Sequence, residues 1–290
     1  MKCYLCKSEN ITKKDRKLRD AVGIHIFECI DCGLIFLDKQ ITDNEFYKNG
    51  GMFKNFKESV ASLTSGFNVK EKDLKRNISH IRSICNVKNS NILDFGSGYG
   101  NFLIELKNDN PKYIAGIEIE NNVERIYKDH DIDLFTDISE VNDNYFDIVT
   151  LFYCLSYIKE PIELLEKIMK KLKKGGKIII ETPNANDALI SLYKNNGFLN
   201  FTYHACMLYC FTADNLRYMA KYLGLNIDFI KFIQRYPISN TMYWLNNNLP
   251  SGQSKWGGVL DNDKLQSAYE DTLAKAGITD TLFIQFSKEG

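Results

Sequence analysis

The stretch NILDFGSGYGNFLIEL, Asn91–Leu106, decides how the rest of the chain is read. A short apolar strand ends on Asp94, a turn carries glycines at 96, 98 and 100, and a helical pattern follows. Glycines let the backbone approach a ligand closely and deliver it to the amide-rich start of the next helix. A dinucleotide fingerprint, G-x-G-x-x-G, needs its third glycine at position 101, which is Asn101. The pattern is D-x-G-x-G-x-G instead, and a glycine loop alone does not name its ligand.

The flanking segments narrow the choice. YIAGIEIE reads as a second apolar strand with Glu118 at its end, where a carboxylate can accept hydrogen bonds from both hydroxyls of a ribose. IDLFTDI reads as a third strand ending at Asp137, and YFDIVTLFYCLSYI as a fourth. EPIELLEKIMKKL is an amphipathic helix, and LKKGGKIIIETPN combines a helix end, a Gly-Gly turn and a fully apolar strand. Strands alternating with helices predict an α/β fold with a doubly wound parallel sheet.

As an ordered series, ILDFGSGYG, GIEIE, FDIVTLFYCLSYI and LKKGGKIIIETPN resemble class I S-adenosylmethionine-dependent methyltransferases. The resemblance spans roughly residues 75–233, together with DTLFIQFSK near the C-terminus. It implies a seven-stranded, mostly parallel, Rossmann-like sheet with a reversed last strand, and S-adenosylmethionine as cofactor. By motif position, Asp94, Gly96, Ser97, Gly98 and Gly100 surround its methionine end. Glu118 and Ile119 belong at the ribose, Asp137 and Ile138 flank the adenine, and Phe152 to Cys154 line the cofactor and face the substrate. Many small-molecule members carry Leu-Glu-His where this chain has Leu155-Ser156-Tyr157, so the usual histidine is a tyrosine here.

In such chemistry a substrate nucleophile displaces the sulfonium in line, and the enzyme chiefly aligns the reactants. An amine or hydroxyl must also lose a proton to a base. Of the four histidines, His25 lies in the N-terminal hairpin, His80 in a connector helix and His130 before the third strand. His204, in FTYHACMLYCFT after the fifth strand, is the best candidate base, with Tyr153 and Tyr157 as alternatives. This segment also resembles zinc-ribbon methyltransferases of sugar and polysaccharide pathways. Their Glu-His pair, however, aligns with Cys206 and Met207 rather than with His204.

The first forty residues read as a separate module. Cys3 and Cys6, then Cys29 and Cys32, form two C-x2-C knuckles separated by twenty-two residues. That spacing predicts a zinc ribbon whose four thiolates leave no open position, hence a structural metal. Between them Lys13–Arg19, KKDRKLR, carries five basic residues in seven. It reads as a solvated hairpin tip, or as a contact for RNA or an anionic substrate. Residues 41–89 form a connector, with a helix predicted from Glu71 to Cys85 on Leu74, Ile78, Ile81 and Ile84. The methyltransferase domain then occupies 90–290. Residues 234–280, between its last two strands, are an insertion containing Arg235, Trp244 and Trp256, with a helix from about Asp261 to Ala276. It is expected to wall the substrate pocket or to form a homodimer contact.

Lys plus Arg and Asp plus Glu both number 37, so net charge gives no reason to expect a nucleic-acid or membrane partner. No stretch approaches the ~20 apolar residues of a membrane span. The expectation is a cytoplasmic enzyme that methylates a small molecule, with O-methylation favoured over N- or C-methylation. A sugar nucleotide or another intermediate of surface-glycan or secondary metabolism is the expected substrate. RNA methylation, with the ribbon as the contact, is the alternative.

Overall fold

The hydrophobic runs around the glycine loop are short, rich in Ile, Leu and Val, and buried on both faces, as strands covered by helices on either side must be. In the computed structural model, which describes residues 1–41, 43–49 and 69–289, they form one seven-stranded sheet. Its strands are β4 (Asn91–Phe95), β5 (Tyr113–Ile117), β6 (Asp133–Phe135), β7 (Phe146–Phe152), β8 (Leu172–Pro183), β10 (Leu225–Ile233) and β11 (Thr281–Lys288). The order across the sheet is β6-β5-β4-β7-β8-β11-β10. β11 runs antiparallel to both neighbours, and the remaining pairs are parallel. The expected reversed last strand is thus present.

Successive residues of each strand serve opposite layers. On one face Leu93, Val149, Leu151, Ile178 and Ile180 meet Leu164, Leu165 and Ile168 of α5 (Pro161–Lys171) and Leu216 and Met219 of α8 (Ala213–Leu223). On the other, Ile92, Ile148 and Ile179 meet Ile78 and Ile81 of α2 (Val69–Ile84) and Leu103 and Leu106 of α3 (Asn101–Lys107). β8 starts earlier than the Gly-Gly turn suggests. Leu172 already pairs with Phe146, Lys177 pairs with Ile148, and the chain between them loops out as a bulge. The predicted connector helix is found as α2. A short helix α1 (Asn44–Lys48) precedes it, and the Gly50-Gly51 pair lies outside the described residues.

The N-terminal hairpin strands β1 (Ile11–Lys14), β2 (Ile26–Cys29) and β3 (Ile35–Leu37) form a second, antiparallel sheet. Its fourth strand is β9 (Tyr209–Cys210), which comes from the far side of the sequence and pairs Ile35 with Cys210 and Phe36 with Tyr209. The ribbon therefore shares a sheet and a core with the rest of the chain. Leu5, Cys29, Leu34 and Phe36 belong to the same apolar cluster as Leu151 and Leu216. Asn215 fastens the junction. It is fully buried, its Oδ1 accepts the Thr212 N–H at 2.9 Å, and its Nδ2 donates to the Cys32 carbonyl at 2.6 Å.

The 234–280 insertion consists of α9 (Ile238–Asn247), α10 (Gly252–Leu260) and α11 (Asp263–Ala276). Trp244 of α9 is buried against Phe198 and Phe201, with ring centroids 5.3 and 5.2 Å away. Short helices α4 (Glu124–Asp129), α6 (Ala188–Ser191) and α7 (Asn196–Leu199) complete the fold. Among the described residues no helix is long and apolar enough to cross a membrane.

Candidate active site

The glycine turn lies where the parallel strands end, between β4 and α3. Gly96 has φ +72°, and a Cβ placed on it would stand 2.6 Å from the Cys154 Sγ, so a side chain fits neither the backbone nor the space. The turn is tied down from beside and below. Gly96 and Ser97 donate their amides to the Ile117 carbonyl at 2.8 and 3.2 Å. The buried Tyr127 hydroxyl donates to Ser97 Oγ at 2.6 Å and to the Gly98 carbonyl at 3.2 Å.

Two carboxylates flank this turn. Asp94 is buried and accepts the Thr150 hydroxyl at 2.6 Å. Burial, opposed by that hydrogen bond and aided by the charge of Glu118, pushes its pKa up to about 7. Glu118 accepts the amides of Gly98 at 2.8 Å, Ile119 at 2.8 Å and Glu120 at 3.0 Å. Among the described residues neither acid pairs with a cation. Two adjacent acids without a cation, one of them with its charge disfavoured by burial and by the other, suit a ligand that supplies positive charge and hydroxyls. A sulfonium amino acid joined to a ribose meets that description.

Asp137 caps the turn that follows β6, accepting the Ser139 amide at 2.8 Å, and Ile138 is buried beneath it. Phe152 packs its ring on Phe102 at 5.0 Å. These residues, with Asp94, Glu118 and Ile119, all lie at the ends of β4, β5, β6 and β7.

Past Cys154 the chain enters a 3-10 turn, Leu155–Tyr157, in which the Tyr157 amide donates to the Cys154 carbonyl at 3.0 Å. The Tyr157 ring lies 5.7 Å from the ring of His204. A continuous line of neighbours thus runs from Gly96 through Cys154 and Tyr157 to His204. His204 is buried, and burial together with the charge of Arg19 lowers its pKa to about 3, so at neutral pH it is an uncharged imidazole.

Tyr153 stands differently. It has φ +53°, a strained conformation for a large side chain. Its amide donates to the Glu181 carbonyl at 2.8 Å, its hydroxyl to Glu181 Oε1 at 3.2 Å, and the Arg235 guanidinium covers its ring at 4.1 Å. The fully buried Glu181 also takes Arg76 and, at 3.0 Å, Asn77. Arg76 and Arg235 share Asp73. This buried network carries no obvious sequence signature, because its members come from α2, β7, β8 and the end of β10. Thr150 and Glu181 did leave a trace, as polar residues inside the apolar runs DIVTLF and IIIETP.

The four ribbon cysteines converge, all Sγ atoms lying within 4.8 Å of one another. Cys3 and Cys32 are 3.6 Å apart, and Cys6 and Cys29 3.5 Å. Thiolates about 2.3 Å from a tetrahedral zinc would be roughly 3.8 Å apart, so the cluster fits that ion.

Comparison with known proteins agrees with this geometry. Residues 69–228 match the family model described as a methyltransferase domain. An uncharacterized methyltransferase of Staphylococcus carnosus is 25% identical over 193 residues, 62% of this chain and 92% of that protein. A ubiquinone biosynthesis O-methyltransferase of Hydrogenovibrio crunogenus is 24% identical over 185 residues, covering 57% and 76%. Among solved structures, a SAM-dependent methyltransferase from Archaeoglobus fulgidus superposes with a TM-score of 0.53 at 19% identity, covering 82% of this chain and 99% of that one.

Proposed function

For a chain that belongs to the methyltransferase-domain family and is a SAM-dependent methyltransferase, we propose that the acceptor is a small molecule. We assign it to the sugar nucleotides or related intermediates of surface-glycan or secondary metabolism, with methylation on oxygen. The supporting observation is the enclosure around Tyr157 and His204. Residues 17–20 bond to Asn200, Tyr203 and Ala205, and Trp244 packs on Phe201, so the loop that carries His204 is held on two sides, which suits a compact acceptor. The basic run Lys13–Arg19, the footprint that RNA binding would need, turns partly inward: Leu18 is buried and Arg16 donates to the Tyr203 hydroxyl at 3.1 Å.

In this reading Asp94, Gly96, Ser97, Gly98 and Gly100 hold the methionine end of S-adenosylmethionine, Glu118 and Ile119 the ribose, and Asp137 and Ile138 the adenine. Phe152 lines the same cleft. The bound cofactor supplies the electrophilic methyl group. His204 is the proposed acceptor of the hydroxyl proton, with Tyr157 beside it; since its pKa of about 3 makes it a weak base, the bound acceptor must offset the charge of Arg19. Tyr153, locked by Glu181 and Arg235, shapes the wall. The four ribbon cysteines hold a structural zinc ion, and a thiolate metal site suits a reducing compartment such as the cytoplasm.

The test is turnover with methyl-labelled cofactor against a panel of nucleotide sugars and total RNA. Label in one or more sugar nucleotides is the expected result. Label confined to RNA would overturn the reading.

A further inference from the structure

Residues 16–20, which follow β1, are fastened to the loop that carries His204. Arg16 Nη1 donates to the Tyr203 hydroxyl at 3.1 Å, and the Lys17 amide to Asn200 Oδ1 at 3.0 Å. The Arg19 amide donates to the Tyr203 carbonyl at 3.0 Å, and Asp20 accepts the Ala205 amide at 2.9 Å. These bonds fix the backbone on either side of Arg19.

Its guanidinium lies over the Phe201 ring at 5.3 Å, and its Nε is fully buried without a hydrogen-bond partner. Among the described residues no carboxylate stands within ion-pair distance of it, and its neighbour Asp20 faces the Ala205 amide. Burial disfavours its charge, the carboxylate of Asp20 does most to favour it, and Tyr157, Cys206 and Tyr236 follow. The same charge acts on His204. A part-buried guanidinium with no directly paired carboxylate and an unsatisfied Nε has hydrogen-bonding capacity to spare, and its planar fork matches an oxyanion.

We infer that Arg19 is the anion-binding residue of the acceptor pocket, carried there by the ribbon to hold a phosphate or carboxylate group of the substrate beside Tyr157 and His204. The inference rests on reading the Tyr157–His204 wall as the acceptor site, and it gives the N-terminal module a direct part in substrate recognition. It also restricts the acceptor to molecules bearing such a group at a fixed distance from the methylated atom.

The test uses the zinc-loaded full chain saturated with S-adenosylhomocysteine. Inorganic pyrophosphate and malonate are titrated separately by calorimetry into the parent protein and into Arg19→Gln, Arg19→Lys and Lys13→Gln. At least one probe is expected to bind one-to-one in the millimolar range or tighter. Arg19→Gln should weaken it by about tenfold or more, Arg19→Lys less, and Lys13→Gln, an exposed charge lost from β1, should leave it unchanged. Binding of pyrophosphate alone identifies a phosphate site, and of malonate alone a carboxylate site. Equal binding by Arg19→Gln, or no binding of either probe by the parent, overturns the inference. S-adenosylhomocysteine affinity, measured in every variant, separates that failure from failure of the methyltransferase reading. The anion site can be absent while the cofactor product still binds, whereas no uptake of the product by the parent would sink the reading beneath it.

Discussion

Asp94 sets the chemistry of the cofactor end, and its titration can be followed. Its folded pKa, about 7 against an ordinary 3.8, means that the native chain keeps a proton that the unfolded chain releases. Its contribution to stability is therefore full below pH 3.8 and falls as pH rises toward 7. A ligand bearing an ammonium or sulfonium group reverses this, because it favours the ionised acid. S-adenosylhomocysteine should bind with release of a proton, and its affinity should fall by up to about tenfold per pH unit below 7. Calorimetry in buffers of different ionisation enthalpy reads the proton, and Asp94→Asn should abolish both the slope and the release. At Gly96, alanine should cost about 2 kcal/mol or more of stability and remove cofactor binding, since it adds a clash with Cys154 to a strained backbone. Pairing it with Cys154→Gly should recover only the steric part. At this scale the positions of the glycine turn and of the acids at the strand ends were legible in the sequence, because they interrupt otherwise apolar runs. Arg19 was read only as one of a charged run, since sequence spacing cannot tell which of several basic residues a loop will fold over.

Among the elements, β9 and α9 were the least legible. A two-residue strand carries no periodicity, and ISNTMYWLNN lacks a clean apolar stripe because Trp244 alone makes the buried contact with Phe198 and Phe201. The long strands and α2, α5 and α11 were visible because their burial repeats along the chain. Trp244→Ala should destabilise the protein by about 3–5 kcal/mol, checked by denaturant unfolding. It should also raise the KM for the acceptor more than that for the cofactor, because Trp244 supports Phe201, on which Arg19 rests. Stripping metal from the ribbon with a chelator should do more than unfold the hairpin. With β3 released from β9, the loop ahead of β9 loses a boundary, and acceptor turnover should fall while cofactor-product affinity stays nearly constant. Equal loss of both would count against a metal whose role is confined to the ribbon and the loop it supports.

At the scale of the whole molecule, Asp73, Arg76, Glu181 and Arg235 join α2, the end of β8 and the start of the 234–280 insertion in one buried charge network. Arg76→Met would leave the fully buried Glu181 short of its nearest cation, at a cost of about 3–5 kcal/mol in unfolding free energy. The double replacement Arg76→Met with Glu181→Leu should recover part of it, and a thermodynamic cycle measures the coupling. The overall plan, a doubly wound sheet with a four-cysteine module in front, could be read from the order of motifs. How the module attaches could not, because the contacts that attach it join residues far apart in the sequence.

That attachment has a consequence for synthesis. Residues 35 and 36 leave the ribosome long before their strand partners, 209 and 210, have been translated. Through that interval the nascent chain carries an open sheet edge beside the apolar side chains Leu5, Leu34 and Phe36, a surface on which misassembly begins. Early metal loading would shorten the exposure but not end it. The N-terminal segment is thus an obligate client of its own downstream sequence, and chaperone-depleted expression should yield aggregates enriched in chains truncated before residue 209.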